Sequence, residues 1–133
     1  MKTVGGSLDT NVVLRLLLRD SEAQYLLAKK LIDTGPTFHV ADISLAEISF
    51  VLDRYYNLSR LDMKLILENL LYIDNLNFNR VLLIQSLDYF TEHPKLSLED
   101  CMLAVYAKLN NAEPLYTFDK KLASQVDGAK YLN

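Results

Sequence analysis

Residues 4–19, VGGSLDTNVVLRLLLR, decide how the rest of the chain is read. Val4 to Leu8 has the marks of a short strand, weakened by Gly5 and Gly6. Asp9 follows it directly, and Asn11 to Arg19 is apolar and helical. A strand running straight into a helix is the unit of a parallel sheet covered on both faces, and the pattern recurs outward from here. Glu22 to Asp33 reads as a second helix stopped by Gly35-Pro36, and Thr37 to Val40 (TFHV) as a second strand. From Ser44 a helical period is clear, with Ile48, Val51, Leu52, Tyr55 and Tyr56 on one face. Met63, Ile66, Leu67, Leu70 and Leu71 repeat the spacing beyond the turn Asn57-Leu58-Ser59-Arg60, which predicts a helical hairpin. Leu76 to Phe78 suits a short strand, Arg80 to Phe90 and Leu98 to Leu109 suit helices, and Pro114 to Thr117 (PLYT) suits a strand. Lys120 to Gln125 is a short helix, and Ala129 to Leu132 a last edge strand. The expectation is one domain over residues 1–133, an α/β sandwich with more helix than sheet.

Composition narrows the function. The chain has 133 residues, half of them hydrophobic, enough for one core without disulfide or metal staples. Fourteen Lys and Arg against seventeen Asp and Glu give a formal charge of −3, which argues against a strongly basic nucleic-acid binder. The lone Cys101 cannot form an internal disulfide and no paired-cysteine zinc pattern exists, so a reducing compartment, the cytoplasm, is expected. No window approaches the roughly 18 apolar residues of a membrane span. The first ten residues hold no signal-peptide core.

Four acids occupy equivalent places in this layout. Asp9 follows the first strand, Glu47 lies in the first turn of the helix after TFHV, Asp100 opens the long C-terminal helix, and Asp119 follows PLYT. Ligands of open α/β sheets bind beyond the carboxyl ends of strands, where helices begin. The structural explanation comes first: acids cap helices and favour their dipoles, and Ser44-x-x-Glu47 and Ser97-x-x-Asp100 resemble capping boxes. Capping does not explain why Asn11 and Thr117 flank the first and last acid with short polar side chains. Four converging carboxylates would also repel one another unless a cation joined them. A hard divalent ion such as Mg²⁺ takes carboxylate oxygens and leaves positions open for phosphate, which points to phosphodiester hydrolysis. Setting the four aside leaves thirteen acids against fourteen Lys and Arg, so the negative balance resides in the predicted metal site. No nucleophilic triad competes: His39 and His93 have no spaced partners, and Cys101 reads as a core residue.

Leu8-Asp9-Thr10-Asn11-Val12, Glu47 in SLAEISFVL, Asp100 in LEDCMLAVYAK, and Thr117-Phe118-Asp119-Lys120, in that order, resemble the PIN-domain nucleases. Within that family the chain is most similar to the VapC toxins of prokaryotic type II toxin–antitoxin systems, with Arg15 and the Tyr55…Ser59-Arg60 turn as supporting details. The resemblance runs from about Leu8 to Tyr131. It implies a PIN-like three-layer α/β/α sandwich with a small, mostly parallel sheet. It also implies an endoribonuclease dependent on Mg²⁺ or Mn²⁺, usually a homodimer, held in check by a cognate antitoxin. By position, Asp9, Glu47, Asp100 and Asp119 match the family's acidic catalytic and metal-binding residues, and Asn11 and Thr117 match the polar positions that orient them. Gly5-Gly6-Ser7 departs from the family's continuous apolar first strand, and Ser97 stands where many relatives carry a further Asp.

Arg15, Lys120 and Lys121 are the cations nearest the acids in sequence and the candidates for contacting RNA; a solvated face is their ordinary reading. The hairpin from Leu45 to Leu71 carries more Tyr, Leu and Met than one core face needs, which points to an antitoxin segment laid into a groove; core packing is its ordinary reading. Two other functions compete. An aspartyl-phosphate phosphatase would want a second Asp where Asn11 stands, and a non-cleaving PIN-like scaffold would bind RNA or protein without needing the four acids.

Overall fold

A computed structural model describes residues 3–133. They fall into two compact units, one ending at Asn79 and one spanning Arg80–Asn133. The first unit holds β1 (Val4–Ser7), α1 (Thr10–Leu18), α2 (Glu22–Ile32), β2 (Thr37–His39), α3 (Asp42–Arg54), α4 (Arg60–Glu68), a 3₁₀ turn over Asn69–Tyr72, and β3 (Leu76–Asn77). The second holds α5 (Arg80–Glu92), α6 (Leu98–Leu109), β4 (Leu115–Thr117), α7 (Lys120–Gln125) and β5 (Ala129–Tyr131). No described helix is long and apolar enough to cross a membrane.

Among the described residues every strand pairing is parallel, as the alternation of strands and helices predicts. In the first unit the order is β1-β2-β3, with Ser7 opposite His39 and His39 opposite Asn77. Alternation along β2 and β3 buries Phe38 and Leu76 on one face. The glycine pair does not abolish β1; it bulges it, with a register shift between Val4 and Gly6. A Cβ on Gly5 would lie 2.8 Å from the Phe38 ring and 2.9 Å from Pro36 Cγ, so the missing side chain lets β2 pack against the β1 backbone. Gly6 then takes φ 143°, which other residues rarely adopt. α1 packs on α2, α3 and α4, and buries Val13 and Leu14. The hairpin of α3 and α4 contributes Leu45, Ile48, Leu52, Met63 and Leu67. Tyr55 departs from the predicted apolar face: α3 ends at Arg54, and the Tyr55 ring is 76% exposed.

In the second unit α5 lies along α6, and α6 and α7 both pack on β4. Leu83, Leu87, Leu98, Cys101 and Val105 are buried; Cys101 is a small core residue, as expected. β4 and β5 pair with Tyr116 opposite Lys130 and Thr117 opposite Tyr131. α7 is only six residues long, too short to persist without its cap and its buried Leu122.

Candidate functional site

Asp9 stands at the junction between β1 and α1. The Leu8 N–H donates to the His39 carbonyl at 2.8 Å, pinning the end of β1, and the Asp9 carbonyl accepts the first helical bond from Val12 at 3.0 Å. Asp9 is therefore the N-cap of α1 by backbone geometry, yet its carboxylate makes no cap hydrogen bond and is exposed. Capping does not account for its charge. Asn11, in the first turn of α1, is exposed on the same helix.

Glu47 corrects the sequence reading. α3 begins at Asp42, with Ala41 as N-cap, so Glu47 lies in the second turn and not the first. Ser44 is inside the helix and buried, and the box Ser44-x-x-Glu47 does not form. Asp42 takes the favourable first-turn position that the capping pattern had assigned to Glu47. Glu47 is exposed on α3, the helix that packs against α1.

Asp100 is in the first turn of α6 and half-buried, with its N–H donating to the Ser97 hydroxyl at 3.1 Å. Half of the expected capping box is thus present. Asp119 is the N-cap of α7, and its Oδ1 accepts from Lys121 N–H at 2.9 Å and Leu122 N–H at 3.2 Å. Both bonds use one oxygen. The Thr117 hydroxyl oxygen accepts from Asp119 N–H at 2.9 Å, which holds the backbone of this acid.

The acids divide two and two: Asp9 and Glu47 belong to the first unit, Asp100 and Asp119 to the second. Among the described residues no three of His, Cys, Asp and Glu gather closely enough to hold a metal ion. The donor set nevertheless has the right chemistry for one. It consists of hard carboxylate oxygens that reach solvent, and none of the four enters an ion pair among the described residues.

The three candidate cations behave differently. Arg15 pairs with Asp20 at 2.5 Å, and the Tyr56 hydroxyl donates to the other Asp20 oxygen at 2.6 Å. The hydrogen bond from Tyr56, and then the one from Arg15, holds the Asp20 carboxyl below its usual range, while Asp20 raises Arg15 and Tyr56. Arg15 is therefore already neutralised. It also lines a cavity of about 300 Å³ between α1 and α2, with Asn11, Gln24, Leu27 and Leu31. Lys120 lies 5.8 Å above the Tyr131 ring, and Lys121 is exposed. The Asp20–Tyr56 link spans 36 positions and carries no periodic or motif signal, which is why spacing did not reveal it. The histidines do structural work: His39 Nδ1 is 3.3 Å from the Asn77 amide, and the His93 ring stacks on Tyr89 at 3.9 Å.

A PIN-domain family model matches residues 7–128, so the chain belongs to the PIN domain family, whose members are generally nucleases. Among solved structures, one similar chain is from the crystal structure of VapBC2 from Rickettsia felis bound to a DNA fragment from their promoter. The two share 17% identity over 98% of each chain, with a TM-score of 0.40. No curated protein matches this chain.

Proposed function

We propose that this PIN-domain protein is a metal-dependent endoribonuclease acting as the toxin of a toxin–antitoxin pair. The observation that carries the reading is the Asp9 carboxylate, which stands at a strand-to-helix junction and is used by neither cap nor ion pair among the described residues. Asp9, Glu47, Asp100 and Asp119 would hold Mg²⁺ or Mn²⁺. Bound there, the ion supplies positive charge to the scissile phosphate and lowers the pKa of an attacking water. The chain's own contribution is rigidity. Ser97 fixes the backbone of Asp100, Thr117 fixes that of Asp119, and the α7 cap locks one Asp119 oxygen while leaving the other for a ligand.

The partners follow the same reading. A cognate antitoxin would cover the α3–α4 hairpin, where Ile43, Tyr55, Leu61 and Leu65 are all more than half exposed. The working form would be a cytoplasmic homodimer. The alternative is a PIN-like scaffold that binds RNA or protein without cutting.

One experiment separates the two. Purified protein is incubated with structured RNAs in Mg²⁺, Mn²⁺ or EDTA, beside Asp9→Asn, and both chains are expressed in cells. The nuclease reading expects cleavage with metal only, and growth arrest abolished by the substitution. RNAs left intact, with growth arrest surviving Asp9→Asn, would sink it.

A further inference from the structure

The turn that follows β4 carries a feature that catalysis by carboxylates does not use. Phe118 is 77% exposed and sits between Thr117 and Asp119. An exposed phenyl ring gains nothing for folding, since it leaves its apolar surface in water. The turn beneath it is nevertheless rigid: Thr117 holds Asp119 N–H, and Asp119 Oδ1 holds two N–H groups of α7. The ring is thus presented from a fixed backbone. Two residues earlier Tyr116 is 55% exposed, beside its cross-strand partner Lys130. Lys120 and Lys121 follow Asp119 directly, and none of these three lysines enters an ion pair among the described residues. From Leu115 to the C-terminus there are three Lys against two Asp, in a chain of net charge −3.

Two kinds of macromolecule could cover such a face. Protein interfaces favour aromatics but are depleted in lysine at their cores. Exposed aromatics interleaved with unpaired cations are what single-stranded nucleic acid needs, because bases stack on the rings while cations follow the phosphates. We propose that Phe118 and Tyr116 form a base-stacking platform for single-stranded RNA, with Lys120, Lys121 and Lys130 contacting its phosphates beside Asp119. The platform rests on the ribonuclease reading for the identity of its ligand. It adds a positioning role that the acids cannot supply: it places one nucleotide of the strand next to Asp119.

The test uses the full chain in the Asp9→Asn background with Mg²⁺, and a fluorescent single-stranded 12-mer RNA followed by anisotropy. Phe118→Ala and Phe118→Leu are expected to weaken binding roughly 5- to 100-fold, and Phe118→Trp to keep it, because stacking needs a ring and not merely apolar bulk. All three keep the parent melting temperature, since the ring is exposed. Lys121→Ala lowers the slope of log Kd against log salt by about 0.7. In chains with Asp9 intact, Phe118→Ala raises KM for RNA cleavage more than it lowers kcat. Undetectable RNA binding, or equal affinity for Phe118→Ala and Phe118→Trp, overturns the platform. So does a Phe118→Ala effect confined to the sedimentation coefficient, which would mark a protein interface. The two readings fail separately. Cleavage with a KM indifferent to Phe118 removes the platform alone, whereas ring-dependent binding by a wild type that cuts nothing removes the nuclease alone.

Discussion

On the proposed reading Asp119 both caps α7 and binds a ligand, and substitution can pull the two apart. Its Oδ1 accepts two α7 N–H bonds, at 2.9 and 3.2 Å, while Oδ2 is left for a ligand. Asn reproduces the cap, because its carbonyl oxygen accepts the same bonds and Asn is as good an N-cap as Asp. Ala removes it. An N-cap loss costs about 0.5–2 kcal/mol, and the upper half applies here because both bonds vanish from a six-residue helix. For a chain of this size roughly 1 kcal/mol shifts the melting temperature by about 3–6 °C. Asp119→Ala should therefore melt several degrees below wild type in EDTA, and Asp119→Asn within about a degree of it. In RNA cleavage with Mg²⁺ the two should look alike. Each should lose more than about 100-fold, beyond the 10- to 100-fold typical when only a supporting group is removed. Circular-dichroism melts and initial cleavage rates on the same preparations measure both quantities. Asp119→Asn with near wild-type activity would refute the ligand role. Asp119→Ala with an unchanged melting temperature would refute the cap.

Other outcomes follow from the same geometry. Thr117→Val removes the acceptor for Asp119 N–H, so cleavage should fall about 10- to 100-fold while the melting temperature moves little. Saturating Mg²⁺ should stabilise the wild type, by about 2.7 kcal/mol at a hundredfold excess over Kd, and Asp9→Asn much less; equal shifts in calorimetry would point to binding elsewhere. Tyr56→Phe should cost under about 1 kcal/mol at pH 7, because its partner Asp20 reaches solvent. Asp20 has a depressed carboxyl, so its stabilisation is complete above the unfolded carboxyl pKa and lost as pH falls through the folded one. The raised Tyr56 phenol stabilises below its unfolded pKa and loses that as pH rises through the folded one. Urea melts of wild type and Tyr56→Phe should therefore converge at both extremes and differ between them. Leu52→Ala, at a fully buried site, should cost roughly 2–5 kcal/mol, against under about 0.5 for Ile43→Ala, whose side chain is 77% exposed.

The regular elements were legible because their physics is local. Branched and aromatic runs such as TFHV pair as strands, and the 3.6-residue period of Ile48, Leu52, Met63 and Leu67 buries one face wherever the helices pack. What failed was competition between local signals. Ser44-x-x-Glu47 and Asp42 both propose a helix start, and the earlier acid wins by adding a turn, which moves Glu47 along α3. Tyr55 matched the apolar period but fell just past the end of the helix, where the period no longer applies. Gly5 and Gly6 looked like a broken strand; their role depends on Phe38 and Pro36, more than thirty positions away. The Arg15–Asp20–Tyr56 network was invisible for the same reason, since nothing in the spacing of α1 announces a phenol from the turn beyond α3.

The candidate acids were legible for a different reason, and a partly misleading one. Every strand-to-helix junction favours an acid, because its helix N–H groups need an acceptor and its dipole favours negative charge. Sequence therefore marks junctions more surely than it marks ligands. The discriminating observation is how each carboxylate is spent. Asp119 gives one oxygen to its helix and keeps the other, whereas Asp9, at an equivalent junction, gives none. A helix start that leaves its own acid unused has forgone about 1 kcal/mol of available capping. Asp9 is consequently the position where a structural explanation is weakest. Its conversion to Asn should cost folding no more than the roughly 0.3–1 kcal/mol of the helix-dipole interaction, so a loss of cleavage far beyond that reports on chemistry.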